Sequence, residues 1–413
     1  MSFLKKAFSY FFRKIRYKDW IYLTFLSFIF NFLGLKRVKL CSFNNVRKFE
    51  VLENGHQKNF SVSPNYLNTL QKKIDYRAES IELLGFEKVF GNINSASFIT
   101  ENQENIFIEK FPFIDDSNIN YSSGFVEAHN QEFAYIKKFN EDDVYRYKNI
   151  FFLGGNGSFN FYHWMIEIAP KLLLLTNCII KKYNIQYILV NKCVENNDNY
   201  NFILKQCLKH LNGVDLIYVE QSEVFFAEKI FYINSFNQTI YNVKKLNKDY
   251  SLSTIYNRKI LELFKSRINE GDVNLNSKSY SKIFILRNEN AVSQYNRRAY
   301  NEKEIFDFFK QEGFIGIYPD QLTLIEQINI FKNAKFIVGP TGASWSNIIF
   351  SKNSTKAISW LPSQLKNFDT YSTLAYFYNI DMRFIEYNNI DGDYHSNYNL
   401  NLEDIINLYY GMI

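Results

Sequence analysis

The sequence predicts an α/β chain whose two halves face each other across a cleft. Three observations carry that expectation. Strand-like and helix-like apolar patterns alternate over residues 150–233, and again from residue 282 onward. Two segments, FFLGGNGSFNFYHWMIEIAPK at Phe151–Lys171 and KFIVGPTGASWSNIIF at Lys335–Phe350, each read as apolar strand, glycine-bearing loop and helix. Such a loop leaves unpaired backbone N–H groups at a helix start, where an anion can be held. The pair therefore suggests a cleft enzyme that handles a phosphorylated substrate.

At 413 residues the chain is long enough for two or three domains. Its 46% hydrophobic and 22% charged content is that of an ordinary globular protein. The 41 Phe and 30 Tyr reflect codon usage more simply than chemistry. The net charge of +6 is unevenly placed: residues 1–40 hold nine basic side chains and one acid, Asp19, so the other 373 residues sum to −2. A near-neutral body argues against a nucleic-acid partner. The apolar run Trp20–Leu35, flanked by basic clusters, reaches only about 24 Å as a helix, short of a bilayer core. Lys36–Lys39 follows it directly with no small-residue cleavage site, which disfavours a signal peptide. The expectation is a helix lying on an anionic leaflet, peripheral or monotopic, with a true span or a buried helix as alternatives. Cys41, Cys178, Cys193 and Cys207 form no CxxC pair and suggest no zinc site; Cys178 and Cys207 read as small core residues.

Residues 41–150 read as short strands and loops without defensible chemistry. Next come strands Ile150–Leu153, Tyr187–Val190 and Leu216–Val219, with helices Phe159–Ala169, Leu172–Lys182 and Asn201–Leu211. Pro170 stops or kinks the first helix and can start the next. Residues 234–281 look like a polar connection holding one helix, Thr254–Arg267. From there the rhythm is regular: strand Ile283–Leu286, helix Glu302–Gln311 with Asn301 and Glu304 as a capping-box variant, and Gly313 closing it. Strand Phe314–Tyr318, helix Leu322–Asn333, strand Phe336–Val338, helix Ser344–Phe350 and strand Lys356–Trp360 imply a parallel sheet. Helix Leu402–Tyr410, capped by Asn401, ends the chain. The expected domains are 1–40, a membrane-associating segment; 41–265, an N-terminal α/β domain; 266–385, a Rossmann-like domain; and 386–413, a tail helix.

On helix Phe159–Ala169, His163 and Glu167 are i and i+4, so one stands above the other. An imidazole held by a carboxylate beside a glycine loop is a general-base pair able to deprotonate a hydroxyl. The competing readings are half of a zinc site and a satisfied ion pair. Tyr162 adjoins the pair while Trp164 points elsewhere on the helix; with Asn156 and Asn160 they are expected on the side of the hydroxyl to be deprotonated. In the second loop, Thr341, Gly342, Ala343 and Ser344 offer close backbone approach and hydroxyls to a diphosphate, and Asn347 follows. The loop is not GxGxxG, so a dinucleotide is disfavoured. Arg287, then Arg297 and Arg298, follow a parallel strand at its carboxyl end, where planar guanidinium forks suit phosphate oxygens; a solvated basic loop is the competing reading. Glu326 and Gln327 in the first turn of their helix are consistent with contacts to ribose or sugar hydroxyls, and equally with a solvated turn. Asp391-Gly392-Asp393 has the form of a metal-binding DxD but reads as a surface turn.

Taken in order, Asn160-Phe161-Tyr162-His163-Trp164 with Glu167 and Pro170-Lys171, Arg287, Arg297-Arg298 with Asn301-Glu302, Gly313-Phe314, Glu326-Gln327 with Phe331 and Ala334, and Val338-Gly339 through Gly342-Ala343 and Asn347 resemble glycosyltransferase family 61. The resemblance implies a GT-B-like pair of Rossmann-like domains and a nucleotide-sugar donor, UDP-linked, held by the C-terminal domain. It implies inverting transfer to an oligosaccharide or lipid-linked glycan acceptor, with no cofactor and no obligatory metal. It further implies work on a capsular or other bacterial surface glycan at the cytoplasmic face of the inner membrane. The family usually has His-Gly-Ala where this chain has Thr341-Gly342-Ala343. That departure keeps open an inactive glycan-binding or scaffold protein on the same fold.

Overall fold

The computed structural model describes residues 34–55, 58–67, 69–110, 123–129, 131–239, 253–270, 279–287, 299–389 and 396–413. The body of the expected N-terminal helix, Arg297, Arg298 and Asp391–Asp393 lie outside these residues. Among the described residues no helix is long and apolar enough to cross a membrane.

The fold is mixed α/β, with one large mixed sheet and one parallel sheet. Among the described residues the large sheet has eleven strands. Its parallel part comprises Asp215–Val219, Tyr187–Asn191, Tyr145–Leu153 and Val224–Ile233 in that order. The ten-residue strand Val224–Ile233 was not expected from the sequence. It carries the sheet across to the antiparallel strands, starting with Ile81–Asn92. Lys88 adopts φ +50° within that strand. Although Phe151 pairs with Phe231, the ring of Phe225, six residues earlier, lies 6.2 Å from that of Phe152. The sheet therefore folds back over its own face. This brings the Ile93–Asn94 turn to the first glycine loop, where Gly155 N–H donates to the Ile93 carbonyl at 2.9 Å.

Leu35–Ser42 is an interior strand, parallel to Asn105–Ile108 and antiparallel to Phe133–Lys137. Residues 35–40, assigned from sequence to the membrane-associating segment, thus belong to the sheet. Val38 and Leu40, alternating with exposed Arg37 and Lys39, supply its buried face.

The second sheet is all parallel, in the order Ile315–Ile317, Lys282–Ile285, Phe336–Val338, Lys356–Pro362, Asp381–Tyr387 and Asn65–Tyr66. Its last strand comes from the N-terminal region. The sequence reading did not include helix Thr370–Phe377 or strand Asp381–Tyr387. In the strand, polar Asp381, Arg383 and Glu386 separate the buried Met382, Phe384 and Tyr387, so it shows no continuous apolar run.

Several helix boundaries differ from expectation for local reasons. Helix Arg258–Asn269 starts late because Thr254–Ile255 pairs with Gln238–Thr239 as a ribbon. Helix Leu324–Asn333 starts at a true capping box, with Thr323 and Glu326 each bonded to the other's backbone N–H. Asn301 does not cap its helix. Its side chain binds Glu304 at 2.7 Å and accepts from Leu400 N–H at 2.9 Å, tying down the tail. Leu172–Lys182 is split by Thr176, which caps a short helix Asn177–Lys182. That later start turns Cys178 outward, so it is exposed, whereas Cys207 is buried.

One apolar core spans both halves of the chain. Trp164, Ile166, Leu172, Leu204 and Leu261 from the mixed-sheet half pack in the same cluster as Ile328, Phe331, Trp345, Ile348 and Leu374 from the parallel-sheet half. A second cluster, around Tyr409, Phe309 and Phe336, fixes the tail helix Leu402–Tyr410 to the other face of the parallel sheet.

A truncation series reads the role of the first strand directly. Val38 and Leu40 together contribute roughly 3–6 kcal/mol by burial, and both neighbouring strands lose their partner with them. Extending a deletion from residue 33 to residue 42 is expected to abolish the cooperative thermal transition, followed by circular dichroism; an unchanged transition would remove Leu35–Ser42 from the core.

Candidate functional site

The first loop begins at the carboxyl end of strand Tyr145–Leu153. Gly154 is required there, because a Cβ would stand 2.5 Å from the Ile93 carbonyl. Asn191 Nδ2 donates to Ser158 Oγ at 2.8 Å and Asn94 Oδ1 at 3.0 Å, bracing the loop from beneath. Asn160 Oδ1 accepts from Tyr162 N–H at 2.9 Å and opens the helix.

The helix expected over Phe159–Ala169 is instead a π-helical turn, His163–Ile168, followed by a tight helix Ala169–Leu174. Pro170 is the local cause. It has no N–H to give the Ile166 carbonyl, which accepts from Asn237 Nδ2 at 2.9 Å instead. The widened turn is closed by Ala169 N–H donating to the Trp164 carbonyl.

Within that turn His163 Nδ1 lies 2.6 Å from Glu167 Oε2, with the two side chains 9% and 4% exposed. Glu167 Oε1 accepts from Thr239 N–H at 2.6 Å. Both carboxylate oxygens are thus engaged, one by the imidazole and one by backbone. Gly157, at φ +81°, packs on the imidazole; a Cβ there would sit 2.6 Å from His163 Cδ2. Tyr162 is buried, and its hydroxyl pairs with Thr239 Oγ1 at 2.7 Å and with the Tyr256 hydroxyl. Burial pushes the Tyr162 and Tyr256 hydroxyls well above their ordinary range, so both stay neutral. Trp164 is a core residue, fully buried with Nε1 donating to the Tyr200 carbonyl at 3.2 Å, and offers no face to an acceptor. Asn156, Asn160 and Phe161 are partly exposed at the loop.

Lys171 is buried three residues beyond the turn. Its Nζ donates to the Tyr232 hydroxyl at 2.8 Å, and that hydroxyl donates to Glu109 Oε2 at 3.0 Å. Burial lowers the lysine from its ordinary 10.5 to about 8, opposed by the charges of Glu109 and Glu167.

In the parallel-sheet half, Gly339–Gly342 follows strand Phe336–Val338 at its carboxyl end. Gly339 passes so close to Ile285 that a Cβ would meet that residue's Cβ at 2.6 Å. Trp345 Nε1 donates to the Pro340 carbonyl at 3.0 Å and holds the bend shut. Thr341 turns its hydroxyl inward, onto Ser359 Oγ at 3.0 Å and the Trp360 carbonyl. Gly342 is exposed, Ala343 and Ser344 are half-buried, and no side chain caps the helix Ala343–Phe350 that they open. Arg287 lies at the end of the neighbouring strand with its guanidinium 5.5 Å from the Tyr300 ring centre. Its own N–H donates to Glu302 Oε2 at 3.1 Å.

Three other expected donor contacts serve the scaffold. Asn347 is buried and donates to Gln327 Oε1 at 2.7 Å; Gln327 in turn donates to the Pro319 carbonyl at 2.9 Å. Glu326 spends its carboxylate on the capping box, accepting from Thr323 N–H and Oγ1 at 2.8 Å each. Among the described residues no group of three or more His, Cys, Asp or Glu is placed to hold a metal.

Both loops lie at carboxyl ends of parallel strands, where open α/β sheets bind ligands. Residues 161–358, from the residue before Tyr162 to the strand beside the second loop, match the family model described as Glycosyltransferase 61. The match supports glycosyltransferase family 61 as the family that this segment resembles. The match covers the His163–Glu167 pair, Arg287 and the second loop, and it supports glycosyltransferase activity in general terms. No curated protein matches the chain.

The sequence reading passed over Thr239, Tyr256 and Thr370, which close the site from behind. All three lie in stretches without a motif, and only the fold brings them together.

Two measurements check this geometry. Gly157→Ala is expected to cost about 1–3 kcal/mol, since it adds a clash and a strained φ, and to lower turnover more than tenfold by displacing the imidazole; urea unfolding and kinetics read the two effects. Lys171 tests the buried charge. Its folded pKa lies below its unfolded one, so the penalty is fully present below pH 8 and disappears as pH rises from 8 to 10.5. Over that interval the wild type should gain up to about 3 kcal/mol in unfolding free energy relative to Lys171→Met. A difference independent of pH would mean the ammonium is solvated.

Proposed function

We propose that the chain is an inverting, nucleotide-sugar-dependent glycosyltransferase of GT-B type that extends a capsular or other bacterial surface glycan. The observation that carries this reading is the buried His163–Glu167 contact of 2.6 Å on a glycine-loop turn, within a matched family-61 segment. His163 accepts the acceptor hydroxyl proton, and Glu167 orients the ring and balances the imidazolium that forms. The hydroxyl oxygen bonds to the anomeric carbon from the face opposite the diphosphate. The anomeric C–O bond to the diphosphate breaks, and configuration inverts. Arg287, with Arg297 and Arg298 and the helix start at 342–344, stabilises the charge gathering on the leaving diphosphate.

In this reading the donor is UDP-linked and held by the parallel-sheet half, no metal is obligatory, and the acceptor is an oligosaccharide or lipid-linked glycan on the mixed-sheet side. The basic N-terminal segment, six of whose cations precede residue 34, places the enzyme peripherally or monotopically on the cytoplasmic face of an anionic membrane. The inward-turned hydroxyl of Thr341, at the position where the family usually has His, keeps one rival in view: a glycan-binding protein without turnover.

Nucleotide release from a panel of nucleotide sugars, with stereochemistry read by NMR of the product, decides between them. His163→Ala and Glu167→Ala are each expected to lower kcat by about 10²–10⁴. Normal turnover in both variants would end the base assignment, and absence of turnover in the wild type across the panel would favour the rival.

A further inference from the structure

Thr239 occupies a node that the general-base chemistry alone does not explain. It sits on the ribbon Gln238–Thr239 paired to Thr254–Ile255, between the two halves of the chain. Its N–H donates to Glu167 Oε1 at 2.6 Å. Its hydroxyl meets Tyr162 Oη at 2.7 Å, Thr370 Oγ1 at 3.0 Å and Thr254 Oγ1 at 3.2 Å. A hydroxyl has one proton to give and two lone pairs, so these three partners use it completely. Thr254 and Thr370 close the ring at 2.7 Å, and the Tyr256 hydroxyl donates to the Thr370 carbonyl at 3.3 Å. Thr239, Thr254 and Thr370 are each 1–2% exposed.

Thr370 opens the helix Thr370–Phe377, which packs directly on helix Ala343–Phe350. That second helix is the one that the exposed Gly342 loop starts. A continuous path of bonds and packed elements thus runs from the imidazole through Glu167, Thr239 and Thr370 to the loop proposed to hold the diphosphate. Every polar group on the path is buried, so no water competes for its partners and a displaced hydroxyl would leave an unsatisfied neighbour.

We infer that Thr239 is a positioning residue for the transfer reaction: it holds the Glu167 carboxylate in register with the donor-side helices, so that the base is aligned when the diphosphate is seated. This inference rests on the general-base reading above. Thr239 touches neither substrate, and its effect passes through Glu167.

Thr239→Val keeps shape and removes the hydroxyl; Thr239→Ser keeps the hydroxyl. With nucleotide release from UDP-sugars as the readout, Thr239→Val is expected to lower kcat by about tenfold or more while donor KM stays within about twofold, and Thr239→Ser to recover most of the loss. A purely structural role would lower the melting temperature without that split and without rescue. Wild-type kcat in a folded Thr239→Val would overturn the inference, as would failure of Thr239→Ser to recover it.

A second measurement needs no donor. Amide hydrogen exchange at Thr239 should accelerate in Glu167→Gln, because its acceptor loses charge; an unchanged rate would break the first link. Normal turnover in His163→Ala would sink the base assignment itself. An inactive His163→Ala beside a fully active Thr239→Val would sink only the positioning role of Thr239.

Discussion

The site depends on the satisfaction of one buried carboxylate. Glu167 is 3% exposed, and a charge so far from water persists only if its oxygens are met by donors. One oxygen faces the imidazole of His163, the other the N–H of Thr239. The first contact is local in sequence and comes from a single turn. The second requires residue 239 to return across the molecule, and it does so on a ribbon wedged between the two sheets. The carboxylate therefore ties a local turn to the tertiary fold. A helix that merely placed His and Glu at i and i+4 on a surface would have left the pair solvated and weak.

The backbone around the pair shows how much is arranged for it. Pro170 removes the N–H that an α-helix would have sent to Ile166, the turn widens to a π form, and Asn237 fills the vacancy. Gly157 contributes the opposite device, an absence of side chain against which the imidazole lies flat. Neither choice helps the helix as a helix. Local rules give way at this point in the chain and largely hold elsewhere, the usual sign that a position serves something other than folding.

Much of this was legible in the sequence because the signals were periodic or local. The parallel strands Tyr187–Asn191 and Phe336–Val338 announced themselves by short apolar runs, and Gly313 by its place after a helix, where it adopts φ +84°. His163 and Glu167 were legible through their spacing, which brings them together in a π turn as in an α-helix. What stayed hidden was non-local. Strand Ile81–Asn92 contains Lys88 at an uncommon positive φ, which an ordinary lysine in the sequence does not announce. Strand Asn65–Tyr66 joins a sheet whose other strands lie more than two hundred positions later, from Lys282 onward, and a two-residue strand carries no period. Gln327 and Asn347 were expected among the donor contacts, whereas their burial against each other is decided by packing that no window of sequence contains.

The shared core bears on how substrates enter. Two domains that close on a ligand as separate bodies are usually joined by a small, polar interface and a hinge. Here Trp164, Leu172 and Leu261 pack in one cluster with Trp345, Ile348 and Leu374, and the hydroxyl ring of Thr239, Thr254 and Thr370 is threaded through the same boundary. Val62 adds a further pair of ties, donating to Thr373 Oγ1 at 2.9 Å and accepting from Ser372 Oγ at 2.6 Å. Opening such a boundary would expose apolar surface and strand several buried hydroxyls at once, each costing about 1–3 kcal/mol. Rigid-body separation of the halves is therefore the expensive route. Motion confined to loops at the carboxyl ends of the strands breaks none of these contacts, and it leaves the alignment of His163 and Glu167 intact while substrates come and go.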